Sequence, residues 1–193
     1  DKGVFNFLLY SSVVIALAVS IGLFVLLPTW LVGLCGHIIG NPIALNLIEG
    51  VMRIIMFIIY IVAISQMNDI KRVFQYHGAE HQTIHCYENG LELTPENCAS
   101  FETLHPRCGT SFLMFVMIIS LLLFSFLGWP NVWVRLLSRL VLIPVVAGLS
   151  YELLRWAGSS ESMVVKILSV PGLLLQKLTT KVPDKSMLEV AIV

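Results

Sequence analysis

Long apolar stretches and one polar island divide this chain. Residues 5–28 are apolar throughout and, as a helix, long enough to cross about 30 Å of hydrocarbon. They predict a first membrane span. Residues 45–65 predict a second, 112–127 a third that is only just long enough, and 132–150 a fourth. Between the first two, residues 29–42 are mixed. Trp30, Cys35, His37 and glycines 33, 36 and 40 interrupt any clean helix, so the expectation is a loop, a tilted segment or an interfacial hairpin. Gly128-Trp129-Pro130-Asn131 predicts a turn, with Trp129 suited to the membrane interface. Pro144 predicts a kink in the fourth span.

Residues 66–111 form a polar insertion, helical up to Gly90. Thr94-Pro95-Glu96 then reads as an N-cap, a proline at the first helical position and an acid in the first turn, hence a short helix. Residues 105–109 read as a tight, irregular stretch. Residues 162–179 are amphipathic and interrupted by Pro171-Gly172, a pattern for lying on the bilayer surface or re-entering it. Residues 181–193 read as a tail. The fold class is an all-α polytopic membrane protein of one domain, residues 1–193, with about four transmembrane helices.

Composition agrees: 57% of the 193 residues are hydrophobic and only 12% charged. Net charge is zero, which removes the basic surface that nucleic acid would need; the expected partner is the lipid bilayer. Four unevenly placed cysteines make no secreted disulfide framework and fit a reducing compartment. The opening Asp1 in place of Met reads as a fragment or a processed product. Four spans with both termini on one side put the island on that side too, together with Lys2, Lys71, Arg72, Arg107, Arg155, Lys166, Lys177, Lys181 and Lys185. Residues 29–42 and 128–131 carry no Lys or Arg. The positive-inside rule then places the island and both termini in the cytosol of a bacterial inner membrane. Inside the second span, Glu49 and Arg53 stand at i and i+4. They can pair there and turn to the bundle interior, because intramembrane charge is costly otherwise.

The island, residues 77–110, holds four of the five histidines, three of the four cysteines and five of the twelve acidic residues. His77, His81 and His85 recur every four residues, so on a helix they form a slanting stripe, and any consecutive pair can chelate one ion. Glu80 beside His81 gives H-G-A-E-H, the H-x-x-E-H order in which the glutamate serves as general base toward a metal-activated water. His105-x-x-Cys108 supplies a second pair. His77, His81, His105 and Cys108 together make a tetrahedral set suited to a divalent metal, zinc by its donors. Three readings share these residues: an open metal with a catalytic Glu80, a saturated structural metal, or no metal and only hydrogen-bonding histidines. Glu152, 71 positions after His81, is a further ligand or catalytic carboxylate, or else an interfacial acid pairing with Arg155. His85 and Glu88 are placed to orient a ligand histidine. Arg107 can hold an anionic group through its planar fork. Cys86 and Cys98 read as structural, and His37 as unrelated to the site.

Phe74–His81 (FQYHGAEH), Leu93–Asn97 (LTPEN) and His105–Phe112 (HPRCGTSF) resemble the YqhQ-like bacterial membrane proteins. So do Ser150–Arg155 (SYELLR) and the closing Leu178-Thr-Thr, Pro183-Asp184 and Glu189-Val-Ala-Ile192. The resemblance spans nearly the whole chain. It implies a metal site in a protein labelled a metal-dependent enzyme, with neither substrate nor reaction supplied. Members usually carry an Ile-Glu-Gly-Val-Met run before their first span. Here Ile48–Met52 lies inside the second, which implies a lost or reordered N-terminal region.

The favoured function is metal-dependent hydrolysis at the cytosolic membrane surface. One rival is a membrane scaffold or partner-binding protein with a structural metal. Another is a transporter or channel, with Glu49, Arg53, Arg135 and Arg139 along a path; four spans are few for that, so it would need a homo-oligomer.

Overall fold

Proline, asparagine and glycine set where the apolar stretches begin and end as helices. The computed structural model describes residues 2–193 except 37, 129 and 161, so the readings on His37 and Trp129 lie outside the described residues. Helix α1 (Lys2–Ile21) runs through a π-helical turn (Gly22–Leu26) into α2 (Leu27–Cys35), a continuous helical stretch of 34 residues. The π turn has a cause in the sequence. Pro28 has no N–H for the carbonyl four residues earlier and its ring crowds that carbonyl. The ladder widens instead, with Leu27 N–H donating to the Gly22 carbonyl. The helix therefore continues well into the 29–42 region, expected to be irregular. Burial of Pro28, Thr29 and Val32 overrides the weak helix propensity of Gly33.

Helix α3 (Pro42–Ile64) opens on Asn41, whose Oδ1 accepts from the Ile43 N–H at 2.9 Å. Helix α4 (Asn68–Glu88) is the polar helix expected up to Gly90, and Gly90 follows at φ +67°. Helix α5 (Pro95–Cys98) is the short helix expected, with Thr94 Oγ1 accepting from Asn97 N–H at 3.3 Å. Helix α6 (Gly109–Ser125) has 17 residues. The chain then turns through Gly128 at φ +73°, and Asn131 Oδ1 accepts from Val134 N–H to start α7 (Val132–Ser159). Three helical stretches are long and apolar enough to cross a membrane: Lys2–Cys35, Pro42–Ile64 and Val132–Ser159. The third expected span, α6, is the shorter one, because Gly128 ends it early.

Two further helices follow. Helix α8 (Met163–Thr179) runs unbroken through Pro171-Gly172 and buries Val165, Ser169, Gly172, Leu175, Gln176 and Thr179 along one face. Gly172 permits this: a Cβ there would sit 2.7 Å from Ser111 Oγ. The expected tail is instead helix α9 (Lys185–Ile192), N-capped by Asp184, whose Oδ1 accepts from Met187 N–H at 2.9 Å.

Contacts divide the chain into two units. The first is Asp1–Phe57 with Leu121–Leu136. Within it Thr29 Oγ1 donates to Glu49 Oε1 at 2.8 Å, and Arg53 pairs with the same carboxylate. Glu49 is 1% exposed and Arg53 partly buried, so the pair expected from its spacing is buried on its acidic side. Asn46 Nδ2 donates to the Gly128 carbonyl at 2.7 Å. The second unit is Ile58–Ser120 with Leu137–Val193. Its core packs Ala79 and Cys86 of α4 with Cys98, Met187 and Leu188, flanked by Tyr76, Leu93 and Phe101.

A candidate metal centre on helix α4

Helix α4 carries the site because one of its faces is polar yet buried. Gly78, Ala79, His81, Gln82, Thr83 and Cys86 are all buried. Glycine at 78 is a packing requirement: a Cβ there would collide with the Lys181 carbonyl, and Lys181 N–H donates to Phe74 O at 2.9 Å. The segment after α5 is laid along this face by α4 side chains. Gln82 Nε2 donates to Phe101 O at 2.6 Å, His81 Nδ1 to Thr103 O at 2.6 Å and His85 Nε2 to Leu104 O at 2.8 Å. From the other side comes Gln176 of α8, fully buried. Its Oε1 accepts from His105 N–H at 2.8 Å, and its Nε2 donates to His105 O at 2.7 Å and Ser111 Oγ at 2.6 Å. The 101–111 segment is thus gripped by two helices, which pair the Phe101, Thr103, Leu104 and His105 carbonyls and the His105 N–H.

That grip brings two trios together. In the first, ligand atoms of His77, His81 and Cys108 lie within 4.8 Å of one another. His77 Nδ1 donates to Thr179 O at 2.9 Å, and His81 Nδ1 to Thr103 O. A carbonyl can only accept, so each Nδ1 carries a proton, and each Nε2 is the ring nitrogen left to face the centre. Metal-binding histidines are commonly oriented in this way. His77 Nε2 stands 3.1 Å from Cys108 Sγ. Burial alone would push the Cys108 thiol up. Hydrogen bonds from His77, His81 and Thr110 outweigh it and bring the pKa down to about 5. The bond to Cys108 in turn raises His77 above the ordinary imidazole value, against the opposing effect of burial. These bonds favour the Cys108 thiolate, the form that ligates metals.

The second trio is His85, Glu88 and His105. Here the ring nitrogens are committed differently. The backbone N–H of Arg107 donates to His105 Nδ1 at 3.2 Å, so the proton sits on Nε2 and points to Glu88 Oε2 at 3.3 Å. Burial holds His105 below the ordinary imidazole value, with Glu88 pulling the other way. Glu88 also pairs with Arg107, whose stem packs against Gly158 of α7. His105 was expected to join His77, His81 and Cys108. The structure turns its ring toward Glu88 instead, while its main chain holds the turn that presents Cys108.

The other expected residues are placed as follows. Glu80 is exposed and outside both trios, although its charge contributes to raising His77. Glu152 is exposed, 4.0 Å from Arg155, and likewise outside both. Cys86 and Cys98 are fully buried in the core behind α4. Sequence reasoning missed Gln176 and the carbonyls of Thr103 and Thr179. Gln176 had a signal, as an amide inside the buried stripe of α8; the carbonyls had none, since every residue carries one.

The family described as "Protein of unknown function (DUF1385)" matches residues 2–193. The "Uncharacterized protein YqhQ" of Bacillus subtilis (strain 168) is 41% identical over 170 residues, 88% of this chain and 54% of that protein. The chain thus spans about half the length of the curated relative that it matches. No solved structure matches it.

Proposed function

Because the chain belongs to the DUF1385 family, whose description gives no activity, we propose from its own chemistry that it is a membrane-bound, metal-dependent hydrolase. The observation that carries this is the first trio: two imidazole Nε2 atoms, each ring held through Nδ1 by a carbonyl, and the Cys108 sulfur, converging from α4 and the 105–108 turn. Soft sulfur with two imidazoles fits zinc best among divalent metals. Three protein donors leave a fourth tetrahedral position open, as catalytic sites do. An ion held by His77, His81 and Cys108 would supply Lewis acidity and would lower the pKa of water.

The chain's own residues do the rest. Thr103 and Thr179 carbonyls hold the ligand rings, and Gln176 holds the turn carrying Cys108. Glu80 is the proposed general base, next to His81 in the motif and open to solvent; Glu152 is a second carboxylate on the same unit. A purely structural metal is less well supported. The 101–111 segment is already fastened by Gln82, His81, His85 and Gln176, and needs no ion to staple it.

Around the site, α6 joins the three longer stretches as a fourth span, since 17 residues is the lower limit for crossing. The Lys and Arg distribution favours a cytosolic site in a bacterial inner membrane. The test is metal analysis of the detergent-purified protein. About one zinc per chain is expected, lost in both His81→Ala and Cys108→Ser. Glu80→Gln should keep its metal and lower hydrolysis in a substrate screen by about 10²–10⁴-fold. An intact protein that binds no metal even when zinc is supplied refutes the reading.

A further inference from the structure

Helix α8 has a second apolar face, turned away from the candidate metal centre. Its inner face is buried: Gly172 seats it against Ser111, while Gln176 and Thr179 hold the His105 main chain and the His77 ring. On the opposite side Met163, Ile167, Val170 and Leu174 recur every three or four residues, which aligns them along a helix. All four are exposed, Ile167 at 62% and Leu174 at 54%. A contiguous apolar patch of this kind marks contact with protein or with membrane.

The composition of the helix decides between the two. Helix α8 has no aromatic residue and no acid, whereas protein interfaces concentrate aromatics at their cores. Aliphatic side chains suffice against acyl chains, which demand no shape match. Lys166 and Lys177 are both exposed and eleven positions apart, hence about 20° apart round the helix, along one edge of the apolar line. Amphipathic helices built in this way lie in the plane of a bilayer interface, and lysines there attract acidic headgroups. The surroundings agree: residues 137–159 share a unit with α8 and belong to a stretch apolar enough to cross a membrane.

We propose that the outer face of α8 docks onto acidic phospholipid at the bilayer surface. Met163, Ile167, Val170 and Leu174 lie among the acyl chains, and Lys166 and Lys177 meet the phosphates. One helix, about 10 Å across, then separates the metal centre from lipid. This docking rests on reading the chain as a membrane protein, not on the metal.

The experiment is spin-label accessibility in the full chain, carrying Cys35→Ser and reconstituted into vesicles of phosphatidylcholine and phosphatidylglycerol. Labels are placed through Ile167→Cys and, separately, Leu174→Cys, so that one misfolded variant leaves the other to decide. Glu189→Cys, at an exposed position on α9, is the aqueous reference. Collisions with oxygen report hydrocarbon, and collisions with a neutral nickel chelate report water. The oxygen-to-nickel ratio at both α8 positions is expected to exceed that at the reference at least fivefold. It should fall at least twofold in phosphatidylcholine alone, and equally when Lys166→Gln and Lys177→Gln are combined. A water-like ratio overturns the docking; so does shielding from both reagents, which means a protein or a second copy covers the face. Equal ratios in the two lipid mixtures overturn it as well. Flotation separates the two failures. A chain that does not float with the vesicles sinks the membrane reading, whereas a floating chain with water-exposed labels sinks the docking face alone.

Discussion

Gln176 joins three buried polar groups. Its amide accepts from His105 N–H and donates to His105 O and Ser111 Oγ, all buried. Removing it strands the His105 main chain away from water, which costs about 1–3 kcal/mol for each buried group left unmade. Gln176→Ala is therefore expected to destabilise by about 3 kcal/mol and to weaken zinc binding by about 10–100-fold, because Cys108 loses its support. Denaturant titration and a zinc competition assay check the two effects. Unchanged affinity would show that the turn holds itself. At this scale the sequence was legible where spacing decides: His77, His81 and His85 had to share a helical stripe. It was not legible for His105, whose tautomer depends on the Arg107 backbone N–H two residues on. No pattern of residue types encodes that hydrogen bond.

Helix α9 is eight residues, too short to be stable in isolation. What holds it is burial of Met187 and Leu188 against Ala79, Cys86 and Cys98, with Asp184 satisfying its first turn. Its exposed Lys185–Glu96 ion pair adds little. A chain ending at residue 182 should therefore uncover Cys86 and Cys98, which are 0% exposed in the intact protein. In that truncation both thiols should react with a small maleimide within minutes, while wild type protects them; mass spectrometry of the labelled peptides reads the result. Continued protection would mean that the core closes without α9. The tail reading failed because short amphipathic helices have no length signal. The Thr94 cap, Gly90 and Asn131 succeeded because turn and cap chemistry is local, set by φ, ψ and one hydrogen bond.

For the molecule as a whole, the proposed topology makes the thiols a ruler. Cys35 is exposed at the end of α2, on the side predicted to face away from the cytosol, while the other three cysteines are buried in the second unit. A membrane-impermeant maleimide added to intact spheroplasts should label Cys35 and spare Cys108, which should react only after permeabilisation and zinc removal. Labelling of Cys108 in sealed cells would reverse the orientation. By itself the sequence determined what hydrophobicity and spacing can carry: an all-helical chain, apolar helices of membrane length, a polar α4 with a histidine stripe, and the pairing of Glu49 with Arg53. These follow from interactions within a few residues, or from the cost of exposing apolar surface. Only the tertiary structure decided that His105 turns to Glu88 and leaves His77, His81 and Cys108 as a trio. It alone made Gln176 and two backbone carbonyls part of the site. Those choices depend on contacts between residues 17 to 102 positions apart, several with donors or acceptors supplied by main chain that looks alike at every residue.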